Sequence, residues 1–571
     1  MLEGCTPWPR EFAARYRAEG YWADITLWQM IEQASARAPD KAAVAHAGGV
    51  ISYRDLGRRV EHLAVQLLAR GLRPGERVVL QLPNGLDFIA AFLALVRIGV
   101  IPVLVLPAHR HIEVSHVIAH AQAVAYVAPA VWRNFDYRPM AVEMAGRFES
   151  LRAVFIAGEP APGQTPLAEL MGGPPVADGR QRLQAVAPSP DEVAHMLLSG
   201  GTTGLPKLIA RTHNDYVYNC RQSGAIAGFD SDTVFLAVLP IAHNFALGCP
   251  GVLGTLAVGG TVVIAADAAP ETVFALIARE RVTVVSAAMP LVVSWLNSEE
   301  PERHDISSLK VFMSGGAKLV PELRQRVEQR LGCTYQESFG TGEGLLCMTR
   351  LDEPPEIRMT SSGMPISAGD EIKVIDEGGR EVADGQIGEL VCRGPYTVRG
   401  YYKAPEATRA AFTADGFYRM GDAVRKLGRR VFVEGRLKDL INRGGEKISS
   451  EEVENHLLAH PGIQSACVVA MPDATFGEKA CAFVIARDDA PLALEQVKSF
   501  LMTRGIAKFK LPERLEIVAE FPTSAAGKIL RRELRQAIAA KLEAEQTAAN
   551  PDRHRSSRLP AAGETAPTAK G

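Results

Sequence analysis

Short, continuous apolar runs alternate with helical patterns along the first two thirds of the chain, and this alternation restricts the possible folds more than any other feature. "ERVVLQL" (residues 76–82) precedes an amphipathic stretch (86–98), and then comes "IPVLVLP" (101–107). "AVAYVAP" (123–129), "RAVFIAG" (152–158) and "GTVVIAA" (260–266) repeat the theme with helical patterns between them. Strands that are apolar on both faces need covering on both faces, so the pattern predicts an α/β fold of parallel sheets sheathed by helices. After about Asp370 the texture changes to "EIKVID", "GELVCRG" and "GFYRMGDAVRKLGRRVFVEGR", short alternating strands joined by Gly and Asp turns. Beyond Arg436 a smaller unit follows, with a helix over Ser450–Leu458, strands "ACVVAMP" and "ACAFVIA", and a helix near 494–504. A last helix carries Leu530, Leu534, Ile538 and Leu542 at i,i+4 spacing.

With 571 residues the chain exceeds one core, and about 100–200 residues per domain suggests three or so structural units. A net charge of -2 gives no basic excess, so neither nucleic acid nor an acidic membrane surface is an expected partner. The most apolar region, "FIAAFLALVRIGVIPVLVLPA", is broken by Arg97, Gly99 and Pro102, which suits a buried helix and strand better than a membrane span. The N-terminus has no basic region leading into an apolar one, and the eight cysteines, Cys5 to Cys481, form no CxxC pair. Reduced thiols and a cytoplasmic location are therefore expected, with neither a zinc site nor a disulfide framework. Residues 546–571 have little apolar content and are expected to be disordered.

The stretch "MLLSGGTTGLPKLIARTH" (196–213) puts glycines, hydroxyls and a lysine into one short turn. Glycines allow backbone N–H groups to approach an anion, so a phosphate loop is one reading. A tight hairpin is the other. A Walker A loop is excluded, because Leu205 and Pro206 separate the last glycine from Lys207.

Five further segments follow in order: "VFMSGGAKL" (311–319), "ESFGTGEG" (337–344), "GELVCRGPYTVRGYY" (388–402), "FYRMGDAVRKLGRRVFVEGRLKDLINRGGEKISSEEVE" (417–454) and "FPTSAAGKILRREL" (521–534). Together with the Gly/Thr loop they resemble the core motifs of the adenylate-forming superfamily over roughly residues 21–543. Within it, "LPIAHNFALGCPGVLGTLAVGGTVV" resembles freestanding aryl acid AMP ligases of siderophore assembly, the salicylate and 2,3-dihydroxybenzoate types, through His243, Asn244 and Phe245. The resemblance implies a large N-terminal domain of helix-covered sheets with a small β-barrel-like subdomain (1–436). A hinge (437–439) and a small mobile α+β C-terminal domain (440–545) would follow.

It also implies a reaction, in which an aryl carboxylate attacks the α-phosphorus of ATP in line and pyrophosphate leaves. On this reading Ser199, Gly200, Gly201, Thr202, Thr203 and Lys207 cradle the phosphates, and Glu343 reaches Mg²⁺, a hard ion that prefers oxygen ligands. Asp422 and Arg436 hold the ribose. Adenine lies near Gly316 and against the backbone at Ser338, with Gly316 bordering the aryl acid as well. "FGTGEG" departs from the family pattern: Gly342 stands where Thr or Ala is frequent, which removes a hydroxyl contact to the α-phosphate, and Thr341 replaces a common Met. Lys528 would act in adenylation and Lys447 in thioester formation, with Lys438 at the hinge. His243 is better read as stacking or gating beside the aryl ring than as a base, since a carboxylate is already ionised at neutral pH. Asn244 would orient the substrate's 2-hydroxyl and carboxylate, and Phe245 would supply an apolar wall.

Cys249 and Leu346 stand where the dihydroxybenzoate members carry serine and valine, which favours salicylate; both residue types are also common in cores. Three functions stay open: an aryl acid AMP ligase that loads a phosphopantetheinylated aryl carrier protein supplied in trans, an aryl or acyl CoA ligase, and a silent nucleotide-binding scaffold.

Overall fold

The computed structural model describes all residues except 200–204, 317, 445, 488–491, 524–528 and 550–571. The chain divides into two compact units, Met1–Leu437 and Lys438–Gly571.

Among the described residues the first unit is built on two large, mostly parallel sheets. In the seven-stranded sheet, Ala153–Ala157, Ala125–Pro129, Arg77–Leu80 and Ile101–Leu104 run parallel in that spatial order. The nine-stranded sheet contains Thr261–Ile264, Val234–Ala237, Val284–Ala287, Val311–Gly315 and Thr334–Thr341, again parallel. These strands coincide with the apolar runs of the sequence because a strand buried on both faces has no polar side to present. The stretch expected to be amphipathic forms the helix Leu86–Arg97, but it is buried without interruption from Phe88 to Val96. It belongs to the largest apolar core, so it has no solvent face.

Each large sheet ends in an antiparallel hairpin. Val193–Leu198 and Leu208–Thr212 close the seven-stranded sheet; Thr334–Thr341 and Gly344–Met348 lie near one edge of the nine-stranded one. Ser199 and Lys207 stand at the described ends of the first hairpin's connection, and Gly342 and Glu343 make the turn of the second. The strands flanking the Gly/Thr stretch pair antiparallel, as the hairpin reading expects.

Strands Glu371–Ile375, Ile387–Arg393, Tyr418–Leu427 and Arg430–Arg436 pair in sequence order into an antiparallel sheet. The barrel-like subdomain expected here is an open sheet with two edges: four strands curl with their twist, while even the small partly open barrels use five.

In the second unit, Leu440–Arg443, Glu446–Ser449, Ile463–Asp473, Gly477–Ala486 and Arg514–Ile517 form one sheet. The helix Ser450–Leu458 falls where the sequence places it, started by the Ser449 hydroxyl accepting the Glu452 N–H. The last helix runs Arg531–Ala549, with Leu534 and Ile538 buried. It continues a few residues past Gln546, into the stretch expected to be disordered. All eight cysteines are free thiols, seven of them buried and Cys5 half-buried. Among the described residues no helix is long and apolar enough to cross a membrane.

Candidate active site

A buried arginine on a strand of the first hairpin ties it to the turn of the second. Arg211, on the first hairpin and 0 % exposed, donates to the Gly342 carbonyl at 3.0 Å and the Tyr396 carbonyl at 3.1 Å, and its Nε bonds Asp215 at 2.8 Å. A Cβ at Gly342 would lie 3.1 Å from Ile209 of the first hairpin. A threonine or alanine there would need the Ile209 methyl to give by a few tenths of an ångström.

A strap, residues 396–402, then locks both hairpins. The Tyr396 hydroxyl accepts the Leu346 N–H at 3.0 Å and donates to buried Asp370 at 2.7 Å. The Val398 N–H reaches the Glu343 carbonyl at 2.7 Å, and the Tyr402 N–H reaches the Leu208 carbonyl at 2.9 Å. Gly344, at φ 146°, passes so near the strap that a Cβ would sit 2.4 Å from Thr397 Cα, so only glycine fits.

Ser199 and Lys207 close the neck of the first loop: the Ser199 N–H donates to the Lys207 carbonyl at 2.9 Å and the Lys207 N–H to the Ser199 hydroxyl at 3.0 Å. Gly200, Gly201, Thr202 and Thr203 lie outside the described residues, as does Lys528. The exposed Lys207 ammonium sits 4.7 Å above the Tyr401 ring. Glu343, 7 % exposed, accepts the Tyr401 hydroxyl on Oε1 at 2.8 Å. Among the described residues no group of three or more His, Cys, Asp or Glu is placed to hold a metal. A single buried carboxylate does fit Mg²⁺, which is commonly held by one or two carboxylates together with substrate phosphates.

Asp422 and Arg436, expected to hold the ribose, lie together on two neighbouring strands. Asp422 and Arg436 are directly opposed across two strands, and Arg436 Nε lies 3.0 Å from Asp422 Oδ1. Arg436 also donates to the Met420 carbonyl, which leaves the guanidinium half-exposed with fixed geometry. Ser338 pairs with Gly315 across parallel strands, and its hydroxyl is buried without a hydrogen-bond partner among the described residues. The neighbouring Gly316 is exposed at φ 89°, and Lys318 donates to the Val433 carbonyl at 2.8 Å.

His243, Asn244 and Phe245 begin the short helix Asn244–Gly248. The exposed His243 caps it, its Nδ1 accepting the Phe245 N–H at 3.3 Å, which places the neutral ring's proton on Nε2. Phe245 lies over the end of the strand Val311–Gly315, since a Cβ at Gly315 would be 3.3 Å from its ring. Asn244 accepts from the Tyr216 hydroxyl at 2.8 Å and donates to Cys249 Sγ at 3.4 Å, and Asn219 donates to the same sulfur at 3.6 Å. Burial pushes the Cys249 thiol and the Tyr216 phenol up, so both stay protonated. Cys249 and Leu346 are both buried and belong to the largest apolar core.

In the second unit Lys447 lies in Glu446–Ser449, opposite Asn442. Lys438 begins the unit within a short 3-10 turn, and its carbonyl accepts from Arg535 at 2.7 Å.

The residues that sequence reasoning missed are Arg211, Tyr216, Asn219, Asp370, Tyr396 and Tyr401. Tyr396 and Tyr401 lie inside the quoted "GPYTVRGYY", where a tyrosine beside a glycine-rich turn was the available signal.

Two mostly parallel sheets with edge hairpins that carry Lys207 and Glu343, and a third sheet that carries Asp422 and Arg436, make up the described part of the candidate site. The family comparison agrees with the geometry: residues 31–402 match the model of the AMP-binding enzyme, residues 452–528 match the AMP-binding enzyme C-terminal domain, and the chain belongs to this adenylate-forming family. It is 45% identical over 544 residues to a 2,3-dihydroxybenzoate-AMP ligase of Bacillus subtilis, covering 95% of this chain and 99% of that protein. It is 42% identical over 537 residues to a salicyl-AMP ligase / salicyl-S-ArCP synthetase of Mycobacterium tuberculosis, covering 93% and 94%. Among solved structures, apo MbtA of Mycobacterium smegmatis superposes with TM-score 0.71 at 39% identity, over 93% of this chain and 98% of that one.

Proposed function

We propose that this chain activates an aryl carboxylic acid, salicylate in preference to 2,3-dihydroxybenzoate, as its acyl-AMP, and passes the aryl group to the phosphopantetheine thiol of an aryl carrier protein in siderophore-type peptide synthesis. The similarity to ligases named for both acids supports the reaction class. The observation that carries the salicylate preference is the environment of Cys249. Its sulfur already accepts two amide N–H groups, from Asn219 and Asn244, so it is a poor additional partner for a 3-hydroxyl. Leu346 adds a methylene relative to valine where that hydroxyl would project. Asn244 keeps one amide N–H uncommitted among the described residues, and this donor suits the substrate's carboxylate or 2-hydroxyl.

The carboxylate oxygen attacks the α-phosphorus while the bond to pyrophosphate breaks. The thiol then attacks the acyl carbonyl, AMP departs and the thiol proton is released. Lys207 and the Gly/Thr loop hold the β and γ phosphates, Asp422 and Arg436 the ribose, and Lys528 balances charge gathering at the α-phosphate. Glu343 would hold Mg²⁺, which would supply neutralisation of phosphate oxygens. Lys447 serves thioester formation, and residues 437–439 serve as the hinge.

ATP–pyrophosphate exchange across a panel of benzoates tests this reading, followed by comparison of thioester formation on a purified aryl carrier protein and on coenzyme A. Salicylate-dependent exchange with loading of the carrier is expected. Exchange that is absent with every benzoate would exclude the reaction, and thioester formed on coenzyme A alone would make the chain a CoA ligase.

A further inference from the structure

Lys207 and Glu343 come from different sheets, yet both meet one side chain. The Tyr401 hydroxyl donates to Glu343 Oε1 at 2.8 Å, and the same ring lies 4.7 Å beneath the Lys207 ammonium. Tyr401 is 5% exposed and fixed on both sides: its N–H donates to the Thr408 hydroxyl at 2.9 Å, and the next residue's N–H is bonded to the Leu208 carbonyl. We propose that Tyr401 is a positioning residue that sets the Glu343 carboxylate for the metal and the Lys207 ammonium for the nucleotide phosphates. This rests on the roles given above to Glu343 and Lys207.

The two contacts do different things. A hydrogen bond to Oε1 fixes the carboxylate's rotation and leaves Oε2 as the oxygen directed to a cation. Among the described residues that bond is the only one the carboxylate receives. A phenol is an ordinary hydrogen-bond donor near neutral pH, so the hydroxyl can serve this contact. The ring's face attracts the ammonium electrostatically. A carboxylate would hold Lys207 as well, but it would cancel the positive charge that phosphate needs; an aromatic face holds the lysine and leaves its charge intact. Among the described residues Lys207 has no ion pair, in keeping with that use.

Tyr401→Phe keeps the ring and removes the hydroxyl, whereas Tyr401→Leu removes both. Two equilibrium measurements separate the contacts: Mn²⁺ binding to the enzyme–ATP complex by electron paramagnetic resonance, and ATP binding without metal by calorimetry. In Tyr401→Phe, Mn²⁺ affinity should fall by about 10-fold or more, the usual loss when a ligand's outer partner is removed, while metal-free ATP binding stays at the wild-type value. In Tyr401→Leu, metal-free ATP affinity should also fall, by ~2- to 5-fold, the scale of an exposed cation–π contact. Glu343→Gln is the control. If it weakens Mn²⁺ binding while Tyr401→Phe leaves it unchanged, the positioning role is overturned and the reading of Glu343 stands. If Glu343→Gln leaves Mn²⁺ binding unchanged, the metal role of Glu343 falls first and the proposal falls with it. Tyr401→Phe decides the first arm whether or not Tyr401→Leu folds.

Discussion

Replacing Asp370 by asparagine should flatten the pH dependence of stability. Asp370 is 1% exposed; Oδ2 accepts from Tyr396 and from the Ser367 N–H, and Oδ1 has no partner among the described residues. Burial raises its pKa from an ordinary 3.8 to about 7, only partly offset by the Tyr396 and Ser367 hydrogen bonds. The folded protein therefore keeps a proton that the unfolded chain has released. Stability falls as pH rises from about 4 to about 7, then levels off. At about 1.4 kcal/mol per pH unit, a slope that halves near pH 7 as Asp370 itself titrates, the interval from pH 5 to pH 8 accounts for about 3 kcal/mol. Asp370→Asn carries no titrating proton, so the stability difference, wild type minus variant, should fall by that amount between pH 5 and pH 8; other titrating groups cancel in the difference. Denaturant unfolding followed by tryptophan fluorescence measures it cleanly, because Trp8, Trp22, Trp28, Trp132 and Trp295 all lie in the first unit. A difference that stays constant over this range would refute the reasoning.

Lys528→Ala should lower adenylate formation by ~10²–10³-fold while thioester formation from supplied aryl-AMP survives; equal losses in both half-reactions would remove it from the first. Asp422→Ala takes away the partner of Arg436 and a ribose acceptor, so the KM for ATP should rise by about 10-fold or more, and an unchanged KM would place the ribose elsewhere. For the aryl acid, kcat/KM should favour salicylate over 2,3-dihydroxybenzoate by ~10–100-fold. Cys249→Ser combined with Leu346→Val should narrow or reverse that ratio, and equal use of both acids by the wild type would refute the pocket assignment.

The parallel strands were legible in the sequence because burial on both faces writes itself as an unbroken apolar run, as in "AVAYVAP". Asp422 and Arg436 were legible as motif residues, and their opposition across two strands supplies the geometry that a motif leaves unstated. The helix Leu86–Arg97 was misread because its few polar residues, Asp87 and Arg97, stand at its ends and give a semblance of two faces. What stayed hidden was the bracing. Arg211 reaches Gly342 across 131 residues, and Tyr401 reaches Glu343 across 58; no local periodicity records such pairings. The open four-stranded sheet was also beyond reach, since edge pairing depends on how far the strands curl and not on which residues they contain.

The buried thiols have a practical consequence for spectroscopy. Thiol-directed dyes react with thiolate, and burial raises the pKa of all eight cysteines, with even half-buried Cys5 pushed up to about 12. A cysteine introduced at an exposed position would be the readily labelled one in a chain that otherwise needs no thiols removed. A donor dye on one unit and an acceptor on the other could then report distances during turnover in a protein whose native sequence is otherwise kept.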